Sequence, residues 1–434
     1  MTEQLEPREV FSIFAQINRV PRPSKHETQM IQFLTQYATD HGIDYCVDEA
    51  GNVIMRKPAT AGYEDHPGVI LQAHMDMVCE KNKDVAHNFM TDPIETYVEG
   101  DWMHARGTTL GADDGIGVSM ALAVLTSTTA QHPALECLFT VDEETGLTGA
   151  FALGQGLLNG KRLINLDSED DGQIFIGCAG GIDTLAHYPV NWEDTPTDYF
   201  AATVWVCGLQ GGHSGDDIEK GRANANKLLV RFLDHIDGMT DLRLAHINGG
   251  NLRNAIAREA QATVCVPMDF KEQLRMELNH YTADIEGEYG KIERDMKLGL
   301  DSEALPKLVM DKEQSRRLLK SLHACPHGVL AMSHDMPGLV ETSTNLASIK
   351  TEGNTIVVNT SQRSSIESSK HDAKRMVENA LTLGGAKCTH GDGYPGWKPN
   401  IDSALLRITV DTYRELFDDV SSSILKRASR TPSR

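Results

Sequence analysis

The chain contains the stretch Gly68-Val69-Ile70-Leu71-Gln72-Ala73-His74-Met75-Asp76, in which an apolar run ends in a histidine and an aspartate. The apolar run predicts a buried strand. Because alternate residues of an extended chain point to the same side, His74 and Asp76 are expected to face the same way where that strand ends. This arrangement is typical of a metal-binding imidazole oriented by a carboxylate. The tripeptide by itself is more often a surface or capping element.

Three further apolar runs have the length of buried strands, and helical patterns separate them. The strands are predicted at residues 52–55, 137–141 and 163–166, and the helices at residues 7–18, 26–41 and 115–125. Strands that alternate with helices predict an α/β fold with a mainly parallel sheet flanked by helices. In such a sheet, ligands bind beyond the carboxyl ends of the strands.

A second set of elements follows the glycine-rich stretch at 177–181 and predicts a separate α+β domain. Its strands are expected at residues 203–208, 262–267 and 355–359, and its helices at 221–236, 271–297 and 368–383. We interpret Gly393-Tyr394-Pro395-Gly396-Trp397 as the return to the first domain. The predicted organisation is therefore a catalytic domain over residues 1–182, an inserted domain over 183–395, and a return to the catalytic domain over 396–434.

The composition excludes several classes of protein. The 434 residues are enough for two domains with separate cores. Asp and Glu number 62 against 41 Lys and Arg, which gives a net charge of -21 and argues against nucleic-acid binding. The sequence shows neither a membrane span nor a signal peptide. Eight scattered cysteines without a Cys-x-x-Cys pair are typical of reduced thiols, so we expect a cytoplasmic protein.

Acidic residues lie where the predicted strands end and where a helix begins. Asp113 lies in a glycine-rich turn before helix 115–125, Glu143 and Glu144 follow strand 137–141, and Asp167 follows strand 163–166. Taken singly, these acids fit a helix cap or a solvated acidic turn, and the glycine-rich turn lacks the lysine and hydroxyl residue of a phosphate-binding loop. Taken together, they are expected at one edge of one sheet, beside the histidine of the first strand.

One imidazole among several carboxylates is a ligand set suited to Zn²⁺, Mn²⁺ or Co²⁺, and is too mixed for a calcium site. There are more carboxylates than one tetrahedral ion needs, which favours two ions that share a bridging carboxylate. Paired metal ions generate hydroxide near neutral pH, and a spare glutamate can carry its proton. The sequence thus predicts a hydrolase.

The motifs in combination resemble the co-catalytic zinc exopeptidases, a family that includes aminoacylases, carnosinases and glutamate carboxypeptidases, and most of all its bacterial dipeptidases. The resemblance extends from the first helix to about Phe417. It is carried by Leu-Gln-Ala-His-Met-Asp-Met-Val at 71–78, Ala-Arg-Gly-Thr-Thr-Leu-Gly-Ala-Asp at 105–113, Glu143-Glu144 with Gly146, Asn-Leu-Asp-Ser-Glu at 165–169, Gly-Gly-His-Ser-Gly at 211–215 and Asn-Leu-Arg-Asn-Ala-Ile at 251–256.

The resemblance implies a ligand for each of two zinc ions. His74 and Asp167 are expected to hold one zinc and Glu144 the other, with Asp113 as the bridge between them. Asp76 is expected to orient His74. Co²⁺ or Mn²⁺ are expected to be able to replace zinc.

The resemblance also implies the catalytic and substrate-binding groups. Glu143 is expected to be the general base that acts on a metal-bridged hydroxide. The inserted domain is expected to be a lid that forms a homodimer, so that His213 reaches the partner subunit's site and stabilises the oxyanion. Asn254 and Arg363 are expected to bind substrate, Arg363 through the terminal carboxylate of a dipeptide.

These roles imply hydrolysis of unblocked dipeptides, especially Xaa-His dipeptides such as β-alanyl-histidine. Two alternatives stay open. The first alternative is a tripeptidase or an N-acyl amino acid amidohydrolase of the same family. The second is a dimeric binding protein that has lost catalysis.

The C-terminal sequence departs from the family pattern. In the family, a histidine near the C-terminus completes the second zinc site, after a His-Ala-Gly-Leu-Glu motif, and neither is found here. Residues 421–434 instead carry four basic side chains and no acid, which we interpret as a frameshifted or prematurely ended reading frame rather than as a natural basic tail. We therefore expect at most one tightly held zinc and impaired activity.

Overall fold

The structure is a computed structural model, and it describes residues 5–168 and 172–417. Residues 421–434, on which the prediction of a frameshift depends, lie outside the described residues. Contacts divide the chain into two compact units: the first comprises Met1–Gly172, and the second begins at Gln173 and includes the other described residues.

The first unit contains short strands that alternate with helices, as its sequence predicts. Its helices are α1 (Arg8–Ile17), α2 (Thr28–Asp40), α3 (Ala112–Thr126), α4 (Glu143–Gly146) and α5 (Thr148–Phe151), and its strands are β1 (Asp44–Val47), β2 (Val53–Lys57), β3 (Val69–His74), β4 (Thr96–Glu99), β5 (Trp102–Ala105), β6 (Leu135–Thr140) and β7 (Arg162–Asn165).

Five of these strands form one sheet, in the order β1-β2-β6-β3-β7. The predicted α/β class is confirmed. The sheet is mixed rather than mainly parallel, because only β6, β3 and β7 run parallel while β1 and β2 are antiparallel to their neighbours. A short turn joins β1 to β2, and only antiparallel strands can be joined in this way. Within that turn, the Asp48 carboxylate accepts the backbone N–H groups of residues 50, 51 and 52.

Strand β6 lies at the centre of the five-stranded sheet. All six residues of β6 are buried, as expected for a strand covered on both faces. The carboxyl ends of β3, β6 and β7 meet at one edge of the sheet, where His74, Glu143 and Asp167 are found. The sheet order therefore brings together residues that are far apart in sequence.

The second unit is α+β, as predicted. Its helices are α6 (Ala225–Asp237), α7 (Lys271–Tyr289), α8 (Lys312–Ala324), α9 (Glu367–Leu383) and α10 (Ala404–Leu416), and its strands are β8 (Gly180–Pro189), β9 (Trp192–Asp194), β10 (Tyr199–Cys207), β11 (Gly212–His213), β12 (Arg243–Gly249), β13 (Ala255–Ile256), β14 (Ala260–Pro267), β15 (Lys297–Glu303), β16 (Leu308–Met310), β17 (Gly328–Met332), β18 (Val340–Glu352), β19 (Thr355–Ser364) and β20 (Lys387–His390).

The main sheet of the second unit has the order β15-β10-β14-β12-β18-β19-β8-β20, and β17 also pairs with β18. The predicted helix 271–297 is shorter than expected. It ends at Tyr289, before Gly290, and Lys297 already pairs with Cys207 in the sheet. The pattern of charged residues continues past Tyr289, so periodicity alone did not locate this end.

The structural division differs from the predicted domain boundaries. The predicted boundary after residue 182 falls inside β8, which pairs with β19 along its whole length. By its contacts α10 groups with the second unit, whereas the sequence assigns residues 396–434 to a return into the first domain. That assignment stays a prediction.

Two features expected from composition can be compared with the structure. All eight cysteines are free thiols. Among the described residues, no helix combines the length and the apolar character that a bilayer crossing needs.

His327 is predicted to make the second unit sensitive to acid. Its Nδ1 atom accepts the Leu346 N–H at 3.3 Å. Burial, and secondly the positive charge of Lys227, lowers the pKa of His327 to about 4. Because histidine in an unfolded chain has a pKa of about 6.5, the unfolded chain binds more protons between these two values. We expect the free energy of unfolding to fall by about 2 kcal/mol from about pH 7 to about pH 4.5.

Denaturant unfolding at a series of pH values measures this effect. The variant His327→Gln should flatten the dependence on pH, since the glutamine oxygen can still accept the Leu346 N–H. The exposed His66 provides a matched control through His66→Gln. If His327→Gln loses as much stability at acidic pH as the parent chain does, another group is responsible.

Candidate functional site

His74 ends β3 with its ring enclosed by three carboxylates. The residue is 2% exposed. Its Nδ1 atom lies 3.3 Å from Asp76 Oδ1, and its Nε2 atom lies 3.0 Å from Asp113 Oδ1 and 3.5 Å from Asp167 Oδ1. Burial alone would lower the pKa of His74, but hydrogen bonds to the three carboxylates outweigh burial and raise it. The ring is thus fixed on one side by Asp76 and faces two acids on the other.

Asp76 connects the end of β3 to the residues that follow β6. It is fully buried, and its two carboxylate oxygens accept the backbone N–H groups of Glu143 at 3.0 Å and Glu144 at 3.2 Å. The Ser24 hydroxyl donates to the same carboxylate at 2.7 Å. Burial raises the pKa of Asp76, but His74 and these donors have the larger combined effect and lower it. The lowered pKa favours the ionised form of Asp76 beside the His74 ring.

Asp114 belongs to the site, although the sequence prediction did not include it. It is 1% exposed, and its carboxylate accepts the backbone N–H of His74 and that of Gly117, each at 3.1 Å. Burial, followed by repulsion from Asp167, raises the pKa of Asp114 to about 8. The signal that could have revealed it is the pair of adjacent acids at the start of α3, of which only Asp113 was selected.

Two sets of side chains in this cluster can hold a metal ion. Within each set, one donor atom from every residue lies within 4.8 Å of the others. The sets are His74 with Asp113 and Glu144, and His74 with Asp114 and Asp167.

The electrostatics of the cluster also fit a bound cation. Burial is the main cause that raises the pKa values of Glu143 and Glu144 to about 7, and neighbouring acids add to it. Burial likewise raises the pKa of Asp167. A divalent cation would relieve the repulsion between these carboxylates. The donor set, one imidazole with carboxylates, suits zinc and similar ions.

A third acidic set lies next to this cluster, and each of its carboxylates accepts hydrogen bonds from protein groups. It consists of Glu27, Asp76 and Asp142, all buried. Glu27 accepts the backbone N–H groups of Lys25 and Asp142, and Asp142 accepts two threonine hydroxyls. These residues support the loops that carry the metal-ligand candidates. No spacing in the sequence singled out Glu27 or Asp142.

The predicted substrate-binding residues lie near one another in the second unit. His213 is the second residue of β11 and pairs with Ala255 in β13. The backbone carbonyl of Asn254 accepts the Ser214 N–H at 2.8 Å. A Cβ atom placed on Gly215 would lie 3.2 Å from the His213 ring and 3.3 Å from Nη1 of Arg363. The structure thus gathers His213, Asn254 and Arg363 around one turn.

Known proteins are similar to this chain over most of its length. Residues 70–429 match the model of peptidase family M20/M25/M40. The cytosol non-specific dipeptidase of Escherichia coli (strain K12) is 42% identical over 415 residues, which cover 96% of this chain and 86% of that protein. An uncharacterized protein of Bacillus subtilis (strain 168), YqjE, is 27% identical over 282 residues, which cover 60% of this chain and 68% of that protein.

A solved structure is also similar to this chain over most of its length. The crystal structure of aminoacylhistidine dipeptidase from Vibrio alginolyticus has a TM-score of 0.94 and 43% identity, and the match covers 96% of this chain and 85% of that chain. The family match includes His74 and every acidic residue predicted at the metal site. The resemblance inferred from the motifs is therefore confirmed, and the chain belongs to peptidase family M20/M25/M40.

Proposed function

We propose that this chain hydrolyses the peptide bond of unblocked dipeptides at a site for two divalent metal ions in its first unit, of which at most one is tightly held. The main support is the buried His74 ring facing a cluster of carboxylates with raised pKa values. The names of the Escherichia coli and Vibrio alginolyticus relatives support a dipeptide substrate. The word "cytosol" in the name of the first relative supports a cytoplasmic location.

His74, Asp167 and Asp113 would hold one ion, and Glu144 and Asp113 would hold the other. We propose zinc as the resident metal, with Co²⁺ or Mn²⁺ able to replace it. Bound zinc supplies a Lewis acid for the substrate carbonyl and lowers the pKa of water. Asp76 keeps the His74 ring in the orientation that presents Nε2 to the metal.

Glu143 acts as the general base. It belongs to neither of the two metal-ligand sets, while its backbone N–H is held by Asp76 at 3.0 Å. Its carboxylate can therefore accept a proton from the attacking water and deliver it to the leaving amine. Asp76 thus contacts both His74, which binds metal, and Glu143, which moves the proton.

The second unit supplies the groups that recognise substrate. Arg363 is 7% exposed and pairs with the terminal carboxylate of the dipeptide. Asn254 contributes a further contact to substrate. His213 stabilises the oxyanion in the partner subunit's site, which requires a homodimer formed through the second unit. We propose Xaa-His dipeptides, including β-alanyl-histidine, as preferred substrates.

A substrate panel combined with metal analysis tests the proposed function. We expect the zinc-loaded chain to hydrolyse dipeptides, a chelator to abolish turnover, and added zinc to restore it. Faster turnover of tripeptides or N-acyl amino acids would favour the alternative activities. Failure of all three substrate classes would favour a binding protein. The same samples also test the prediction of at most one tightly held zinc and reduced turnover. Two stoichiometric zinc ions together with ordinary dipeptide turnover would contradict this prediction.

A further inference from the structure

We infer that Tyr394 is a positioning residue that holds the Arg363 guanidinium in place for the carboxylate of the substrate. The inference rests on the proposed function, which assigns Arg363 to that carboxylate. Nη1 of Arg363 donates a hydrogen bond to the Tyr394 hydroxyl at 3.3 Å. In the sequence, Tyr394 belongs to the stretch 393–397 that is predicted to return to the first domain.

The register of the sheet explains why the tyrosine reaches this arginine. Gly181 in β8 lies directly opposite Arg363 in β19, and directly opposite residues place their side chains on the same face of a sheet. A Cβ atom on Gly181 would lie only 2.7 Å from Cζ and Oη of Tyr394. The tyrosine ring therefore occupies the space of the missing side chain at residue 181, immediately beside Arg363.

The backbone around Tyr394 is fixed by several hydrogen bonds. Tyr394 and Gly181 exchange backbone hydrogen bonds of 2.8 and 3.1 Å. The Lys370 ammonium, which is 3% exposed and pairs with Glu367, donates to the Tyr394 carbonyl at 2.7 Å. Tyr394 is thus anchored to the start of β8 independently of its hydroxyl. The hydroxyl is then presented to Arg363 from a rigid support.

The turn that carries His213 also confines the guanidinium. A Cβ atom on Gly215 would approach Nη1 of Arg363 to 3.3 Å, so the backbone of the His213 turn lies close to it. Arginine has a long side chain that loses rotational freedom when it binds a ligand, and prior confinement reduces that loss. Removal of the tyrosine hydroxyl should leave the charge of Arg363 intact but weaken its orientation.

The variant Tyr394→Phe tests the inference, because it keeps the ring that fills the space beside Gly181. We expect the KM for a dipeptide to rise about five- to tenfold, the range for loss of one hydrogen bond, with kcat within about twofold of the parent chain. For the C-terminal amide of the same dipeptide, which lacks the carboxylate, we expect no change in KM. Tyr63→Phe is the matched control, since its hydroxyl bonds to Gln131 at 3.2 Å in the first unit.

Two further measurements separate the possible outcomes. Arg363→Lys should raise the KM for the dipeptide, and addition of Tyr394→Phe should then have little further effect. The dissociation constant of the dipeptide for the chelator-treated chain, measured by calorimetry, should change in the same ratio as KM.

The inference is overturned if Tyr394→Phe behaves like Tyr63→Phe, or if it raises KM equally for the dipeptide and its amide. Either result leaves the proposed function intact. If the parent chain hydrolyses no dipeptide and binds none, the proposed function fails, and the role of Tyr394 fails with it.

Discussion

Replacement of Glu143 by glutamine is expected to lower kcat for dipeptide hydrolysis by about 10²- to 10⁴-fold, the usual contribution of a general base. Glutamine has nearly the same shape but cannot accept the proton of the attacking water. The backbone N–H of residue 143 should still bond to Asp76, so the orientation of His74 should be preserved. Steady-state kinetics together with metal analysis of the same protein sample measures the effect.

The adjacent glutamate gives a matched control. Glu144 belongs to a metal-ligand set together with His74 and Asp113, whereas Glu143 does not. The variant Glu144→Gln should therefore lose metal as well as activity, and Glu143→Gln should lose activity alone. If Glu143→Gln keeps its kcat, or loses metal as fully as Glu144→Gln, Glu143 is not the base.

Replacement of His74 by alanine is expected to have the largest effect on metal binding. The His74 imidazole is the one nitrogen donor in both metal-ligand sets. Its removal leaves Asp113 and Asp167 without the nitrogen that lies close to both carboxylates. We expect metal affinity to fall on the order of 10²-fold or more, since loss of a ligand should exceed the 10- to 100-fold cost of losing an outer hydrogen bond. Competition with a chromogenic chelator measures this affinity directly.

A second buried histidine in the first unit controls for loss of packing. His132 is 5% exposed and bonds through Nδ1 to the Pro133 carbonyl. The variant His132→Ala should lower stability without a comparable loss of metal affinity. Equal metal affinity in His74→Ala and the parent chain would rule out a metal site centred on His74.

Local patterns predicted the elements that build the site. The strand before His74 and the strands before Glu143 and Asp167 were each expected from a short apolar run, and all three are present. Such patterns are readable because a buried parallel strand needs apolar residues on both faces. The shared edge followed from the rule that parallel strands present their carboxyl ends together. The antiparallel direction of β1 and β2 could not be predicted from these patterns, because it depends on the turn between the two strands rather than on their apolar content.

The residues that support the site could not be found in this way. Asp114 and Glu27 accept hydrogen bonds from backbone N–H groups of distant segments, and the buried Asp142 carboxylate accepts two threonine hydroxyls. Acidic residues are also common in helix caps and turns, so the residue type alone does not distinguish the acids that support the site. Their burial becomes evident only when the loops after β3 and β6 are placed side by side.

The sequence by itself therefore determined the class of fold and the family, and it predicted a metal site at His74, Asp113, Glu144 and Asp167. These depend on periodicity and on motifs within short segments, which are local properties of the chain. The tertiary structure decided the sheet order, the burial of Asp76 and Asp114, and the contact between Tyr394 and Arg363. That contact arises because Gly181 leaves a space in the sheet that a tyrosine from another segment fills. Such complementarity involves segments far apart in sequence, and no single segment encodes it.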